Sequence, residues 1–232
     1  MSDTCSLNAF TVELAHELRS IASSNGGSLP GEQELMARLS IGRSTLRESL
    51  AALEAIGAVE SRRGARRRWL GLDLGVLIVS ASELAGDPLA DTRELLEIRR
   101  AIETSMLARV MPLHSRSSYQ ELREISAAMV ELASRGQSFV DLDQHFHLSL
   151  FRPLKNTILE GILSAFWALL RKVDRQEDID VARDVEVAAM HGEIIDALDT
   201  GDYELGRHAL DTHFYGVRKR IVPPRRPPFS QD

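Results

Sequence analysis

Residues 29–64 constrain the fold of this 232-residue chain more than any other stretch. Pro30 at a first-turn position, then Glu32 and Glu34, favours a helix start, because proline pre-sets the backbone and acidic side chains suit the positive end of the helix dipole. Leu35, Met36 and Leu39 give this short helix its apolar stripe, and Ser40-Ile-Gly42 interrupts it. A second helix begins near Arg43, with Leu46, Leu50, Leu53 and Ile56 on one face at helical spacing. That leaves Arg43, Ser44, Thr45 and Arg47 at its exposed N-terminal end, where a recognition helix meets bases and phosphates. Gly57 stops the helix, and Ala58-Val-Glu-Ser61 reads as a short strand. The pattern predicts a winged helix-turn-helix, and with it a double-stranded DNA partner.

Charge supports this locally and not globally. The whole chain carries −6, so it is no general binder of polyanions. Residues 40–72 nevertheless hold seven Arg (43, 47, 62, 63, 66, 67, 68) against three Glu (48, 54, 60), a local net of +4. Five of these arginines sit in the presumed wing, within reach of phosphates or the minor groove.

The single Cys5 excludes an internal disulfide and suits a reducing compartment. The N-terminus has no basic segment leading into an apolar run, and no apolar run approaches a membrane span. A cytoplasmic location without membrane contact is therefore expected.

Residues 8–24 read as a first helix, with Phe10, Leu14, Leu18 and Ile21 on one face and Asn25-Gly-Gly27 as the stop. A linker with room for a short helix is expected over 73–90, where apolar patches mix with Gly and Pro88. From Asp91 the texture turns to helical repeats, predicted over 91–111, 116–135, 138–152, 157–175, 181–200 and 202–221. Their breaks fall at Pro112, Gly136, 153–156, 178–180 and Gly201. The first of these helices shows Leu95, Ile98, Ile102 and Met106 on one face. The fold expected is mainly α, a winged helix-turn-helix over 1–72 and an all-α bundle over 91–222. Residues 223–232, rich in proline and arginine, read as a disordered tail.

The bundle carries a second signal. Asp143 and His147 lie four apart on an apolar face with Val140 and Leu150. His191 joins the stripe Val187, Ile194, Leu198, and His213 joins Leu210, Val217, Ile221. Each histidine alone reads most simply as a satisfied core residue. Together, one Asp and three His from three helices supply the donor types of a zinc, nickel, manganese or iron site. His16, His114, His145 and His208 lack this placement.

The chain resembles the GntR family of bacterial transcription regulators, specifically the FadR-like subgroup with an FCD effector domain. The resemblance rests on Leu29-Pro-Gly-Glu-x-Glu-Leu and Gly42-Arg-Ser-Thr-Leu-Arg-Glu-Ser-Leu in the first part. In the second it rests on Glu97-Ile-Arg-Arg-Ala-Ile-Glu103, Asp143-Gln-His-Phe-His147, His191-Gly-Glu-Ile-Ile-Asp-Ala-Leu, Gly201-Asp202 and His213. It implies that Asp143, His147, His191 and His213 are metal ligands. It also places Arg43, Ser44, Thr45 and Arg47 as recognition-helix contacts and Arg63-Gly64 at the wing tip. Arg99 falls where the family often sets an arginine against an effector carboxylate; an i,i+4 pair with Glu103 is the alternative. Two departures stand out. Gln33 occupies a DNA-contacting position that is usually Arg, and Gly64-Ala-Arg-Arg-Arg is poorer in glycine than the usual wing tip.

These observations predict a ligand-responsive repressor rather than an enzyme. A homodimer would bind a near-palindromic operator, and a small carboxylate effector would meet a divalent metal ion, zinc first and nickel or manganese as alternatives. A metal-free regulator, whose four polar residues bind the effector directly, is the rival reading. A helical metalloenzyme is a further one, but it leaves the helix-turn-helix unexplained.

Overall fold

The computed structural model describes residues 9–62, 64–173 and 180–221. Arg63, the 223–232 tail, the break at 178–179 and the Phe10 side chain lie outside the described residues. The chain divides into two compact units, Met1–Leu77 and Ile78–Asp232.

In the first unit, helices α1 (Ala9–Ser24), α2 (Glu32–Leu39) and α3 (Arg43–Ala55) precede a two-stranded antiparallel sheet, β1 (Val59–Glu60) and β2 (Arg68–Trp69). Val59 pairs with Trp69 and Glu60 with Arg68. The chain leaving α1 also pairs with β2, since Trp69 N–H donates to Gly27 O at 2.9 Å and Leu29 N–H to Arg67 O at 2.8 Å. Gly26 and Gly27 both adopt positive φ there (60° and 84°), which an L side chain tolerates poorly. Leu14, Leu18, Leu35, Leu46, Leu50, Leu53 and Val59 form the core of this unit. The turn between α2 and α3 is tight because Ser40 caps α2 in the left-handed region (φ 53°).

Helix α4 (Leu74–Ala85) spans the division between the units, and Asp73 begins it by accepting from Gly75 N–H at 2.8 Å. The short helix allowed within the expected linker is thus α4, which takes up most of that segment. Helix α5 (Pro88–Val110) starts three residues earlier than the periodicity predicts, because Asp87 accepts from Ala90 N–H at 3.0 Å and Pro88 fits the first turn. Then come α6 (Arg116–Ser134), α7 (Val140–Phe151), α8 (Thr157–Val173), α9 (Val181–Asp199) and α10 (Tyr203–Ile221), with 3-10 turns at Met111–Leu113 and Arg152–Leu154.

Six helices pack as a closed ring in the order α5, α10, α9, α6, α7, α8 and back to α5. Their inner faces bury Leu107, Met129, Phe146, Leu163, Phe166, Trp167, Ile194, Leu210 and Phe214. Gly206 lets α10 approach α9 closely, since a Cβ there would lie 2.7 Å from a Leu198 methyl carbon. The inner face of α5 differs from the predicted stripe. Ile98 is 45% exposed, whereas Leu95, Leu96, Arg99, Glu103, Leu107 and Val110 are buried.

Candidate functional site

The ring brings the four predicted donors together. Asp143 and His147 descend from α7, His191 from α9 and His213 from α10, and one ligand atom of each lies within 4.8 Å of the others. All four side chains are buried.

Proton bookkeeping shows what this arrangement can hold. The His147 Nδ1 atom lies 2.5 Å from Glu103 Oε2, and an ionised carboxylate only accepts, so Nδ1–H donates and the Nε2 lone pair turns inward. His191 Nδ1 lies 3.2 Å from the Ala188 carbonyl oxygen, which also only accepts. Its Nε2 lone pair then faces Asp143 Oδ1 at 2.9 Å, and two acceptors at that distance repel unless a proton or a cation stands between them. The other Asp143 oxygen accepts from the Trp167 indole N–H at 2.6 Å, so only Oδ1 is aimed at the centre. His213 Nε2 lies 3.2 Å from His147 Nε2, while His213 Nδ1 is buried with no hydrogen-bond partner among the described residues. Three imidazole nitrogens and one carboxylate oxygen, with outward hydrogen bonds on the opposite atoms of His147, His191 and Asp143, fit a divalent ion.

Electrostatics agree with that donor state. Burial, reinforced by the neighbouring histidines, pushes the His213 pKa well below its ordinary value. Burial also lowers His147, against the pull of Glu103. Both rings are neutral and free to coordinate. Burial works to raise the Asp143 carboxyl, but its hydrogen bond to His191 and the surrounding histidines outweigh this and hold it far below the usual range.

Arg99 lies beside the cluster on α5. Its Nε donates to Glu103 Oε1 at 2.8 Å, so the i,i+4 pair expected as the alternative is present. The guanidinium carbon also sits 3.8 Å from the Trp167 ring centroid and 4.3 Å from that of Phe166. One terminal nitrogen, Nη2, is buried and has no hydrogen-bond partner among the described residues. Sequence reasoning missed Trp167 and saw in Glu103 only a partner for Arg99. The spacing of an isolated helix does not reveal which other helices face it. His16, His145 and His208 are exposed, and half-buried His114 is engaged by Ser118 and the Leu150 carbonyl.

In the first unit Gln33, Arg43, Ser44 and Arg47 are exposed, Thr45 is half-buried, and Gly64 is exposed with φ 81°. Arg47 Nε donates to Glu32 Oε2 at 2.9 Å, and this bond holds the Glu32 carboxyl below its ordinary range. The wing arginines are not equivalent. Arg66 and Arg68 are exposed, and so is Arg62 although it pairs with Glu60 at 2.9 Å, but half-buried Arg67 bridges Glu54 at 2.9 Å and Glu32 at 3.4 Å. Arg67 thus ties the base of the wing to α2 and α3 and is not a free phosphate ligand.

Residues 94–216 match the FCD domain, and residues 11–67 match the bacterial regulatory proteins of the gntR family. The chain belongs to the GntR family and carries an FCD domain. The putative transcriptional regulatory protein NedR of Micromonospora viridifaciens is 35% identical over 118 residues, covering 48% of this chain and 83% of that protein. The transcriptional repressor NanR of Cronobacter sakazakii is 27% identical across 88% of this chain and 81% of its own length. A GntR structure from Streptococcus agalactiae superposes with a TM-score of 0.68 at 22% identity, covering 90% of this chain and 99% of that one, a likeness of fold. This GntR-family protein is a DNA-binding transcriptional regulator with an FCD effector domain, not an enzyme. None of its described helices is long and apolar enough to cross a membrane.

Proposed function

We propose that this regulator is a repressor that senses a small organic acid at a divalent metal centre formed by Asp143, His147, His191 and His213. The observation that carries the reading is the convergence of those four buried donors, with the outer atoms of His147, His191 and Asp143 engaged by Glu103, Ala188 and Trp167. Zinc suits the donor set best, with nickel or manganese as alternatives. An ion held there supplies a Lewis-acidic position that a carboxylate can fill.

Charge balance favours an acidic effector. Among the described residues, Arg99 offsets one of the two buried carboxylates, Glu103 and Asp143, and leaves this cluster one unit negative. A divalent ion turns this to one unit positive, which a monocarboxylate neutralises. Arg99 has a free Nη2 for the same anion.

The three histidines are fully buried and Asp143 is 7% exposed, so on this reading helices of the ring separate to admit an acid. An effector that binds one arrangement of the ring better than another shifts the population of arrangements. In a homodimer, that shift changes how two recognition helices meet successive major grooves of a near-palindromic operator. Gln33, Arg43, Ser44, Thr45, Arg47, Arg63 and Gly64 make the DNA contacts. On this reading residues 1–72 bind DNA and residues 91–222 sense and dimerise, in a cytoplasmic protein.

A metal-free version has one observation in its favour. His191 Nε2 with Asp143 Oδ1, and His147 Nε2 with His213 Nε2, lie at hydrogen-bonding distances. Titrating operator binding against small carboxylic acids, with zinc-loaded and chelator-stripped protein, separates the two. The metal reading expects the acid response only in the loaded form; an equal response in stripped protein selects the metal-free version.

A further inference from the structure

We infer that Glu103 is the positioning residue of the donor cluster, and that Arg99 acts on the cluster through it. The inference rests on the reading that the cluster holds a divalent ion. Both Glu103 oxygens are committed, Oε1 to Arg99 Nε at 2.8 Å and Oε2 to His147 Nδ1 at 2.5 Å, and the side chain is fully buried. An ionised carboxylate accepts from Nδ1–H and excludes the opposite tautomer, in which Nε2 would carry the proton and could not coordinate. The Arg99 Nε–H holds the other oxygen and so fixes the direction in which Glu103 presents its carboxylate to His147.

Arg99 reaches a second donor by a separate route. It stacks on Trp167, whose indole N–H holds the outer oxygen of Asp143. One guanidinium therefore bears on two residues, each fixing a different ligand, although Arg99 touches none of the four donors through a hydrogen bond. Its free Nη2 makes it the place where an anion would be felt. An anion bound there meets the guanidinium that holds Glu103, so anion binding and metal binding are linked through Arg99 in addition to any direct contact of the anion with the ion.

The test uses the full-length chain, stripped with chelator and titrated with zinc alone against a competing chromophoric chelator. Glu103→Gln keeps the size of the side chain but offers His147 an amide that can also donate. We expect it to bind zinc about ten- to a hundred-fold more weakly, the usual effect of losing such an outer partner. Arg99→Met should weaken zinc binding in the same direction, with most of its effect gone in the Glu103→Gln background. A lower melting temperature of stripped Glu103→Gln with unchanged zinc affinity would reduce Glu103 to a structural role and overturn the inference. Should the variants not fold, nitrogen NMR of the wild-type histidines decides it. His147 should carry its proton on Nδ1 with and without zinc, and an Nε2–H tautomer overturns the inference. Wild-type protein that binds no zinc defeats the metal reading instead, while the tautomer measurement still reports on Glu103.

Discussion

Two arginine–carboxylate pairs in this protein have nearly the same local geometry and opposite surroundings. Arg47 Nε meets Glu32 at 2.9 Å on the exposed end of α3, and Arg99 Nε meets Glu103 at 2.8 Å inside the helical ring. The Arg47 side chain is 61% exposed and that of Arg99 only 1%. In water-rich surroundings such a pair contributes about 0–1 kcal/mol, so a phosphate or base edge can replace the carboxylate with little loss. In the interior, removing one partner leaves a desolvated charge behind, at a cost of roughly 3–5 kcal/mol. Distance alone does not distinguish a surface that exchanges partners from a centre that must stay whole. Burial does.

The largest expected effect follows directly. Arg99→Ala should lower unfolding free energy by roughly 3–5 kcal/mol, read from urea denaturation, because Glu103 loses its countercharge. A loss below about 1 kcal/mol would show that water reaches Glu103, and the contrast would collapse.

Acid should sharpen the same contrast. His147 and His213 are held below the ordinary histidine value of 6.5, so below about pH 6.5 the unfolded chain binds more protons than the folded one. Stability is then full above that pH and lost as pH falls through the window towards the lowered values. Asp143 and Glu103, held below 3.8 and 4.5, extend the loss at still lower pH. The urea midpoint of stripped protein should drop between about pH 7.5 and pH 5. A flat profile would contradict the neutral, buried histidines.

On the surface the effects move from stability to affinity. Arg47→Ala should weaken operator binding by about 1–3 kcal/mol, the worth of a good base contact, and change stability by no more than about 0.5 kcal/mol. A large stability loss with intact operator affinity would make Arg47 a structural residue like Arg99. Arg67→Ala should give the smallest change, about 0.5–1 kcal/mol of stability from its half-exposed bridge to Glu54 and Glu32. Its salt dependence of DNA binding should match wild type; a reduced slope would restore Arg67 as a phosphate ligand.

The two regions also differed in how far their sequences could be read. The helix-turn-helix was legible because Leu46, Leu50 and Leu53 repeat at helical spacing between the turn residues Ser40 and Gly57, with Leu35 on the helix before them. Asp143 and His147 were legible for the same reason, being one turn apart on one helix. Helix α5 was misread, since hydropathy selects Ile98 as a core position and passes over Arg99 and Glu103, which the ring buries as a pair. A buried charge is visible only once its partner is placed, and the partners Trp167, Glu103 and the Ala188 carbonyl come from three different helices. The start of α5 and the existence of α4 were in principle readable from Asp87-Pro88 and Asp73, both helix-starting signals hidden among glycines.

The most direct measurement is the metal content of purified full-length protein by elemental analysis, repeated after stripping and reloading with zinc. Wild type should bind zinc stoichiometrically and melt at a higher temperature when loaded, because an ion that binds only the folded state stabilises it by mass action. His191→Ala and His213→Ala should each lose most of the zinc and most of that thermal gain, while His145→Ala and His208→Ala, altered only at exposed positions, should retain both. Equal zinc in all four variants, or none in wild type, would contradict a metal centre at Asp143, His147, His191 and His213.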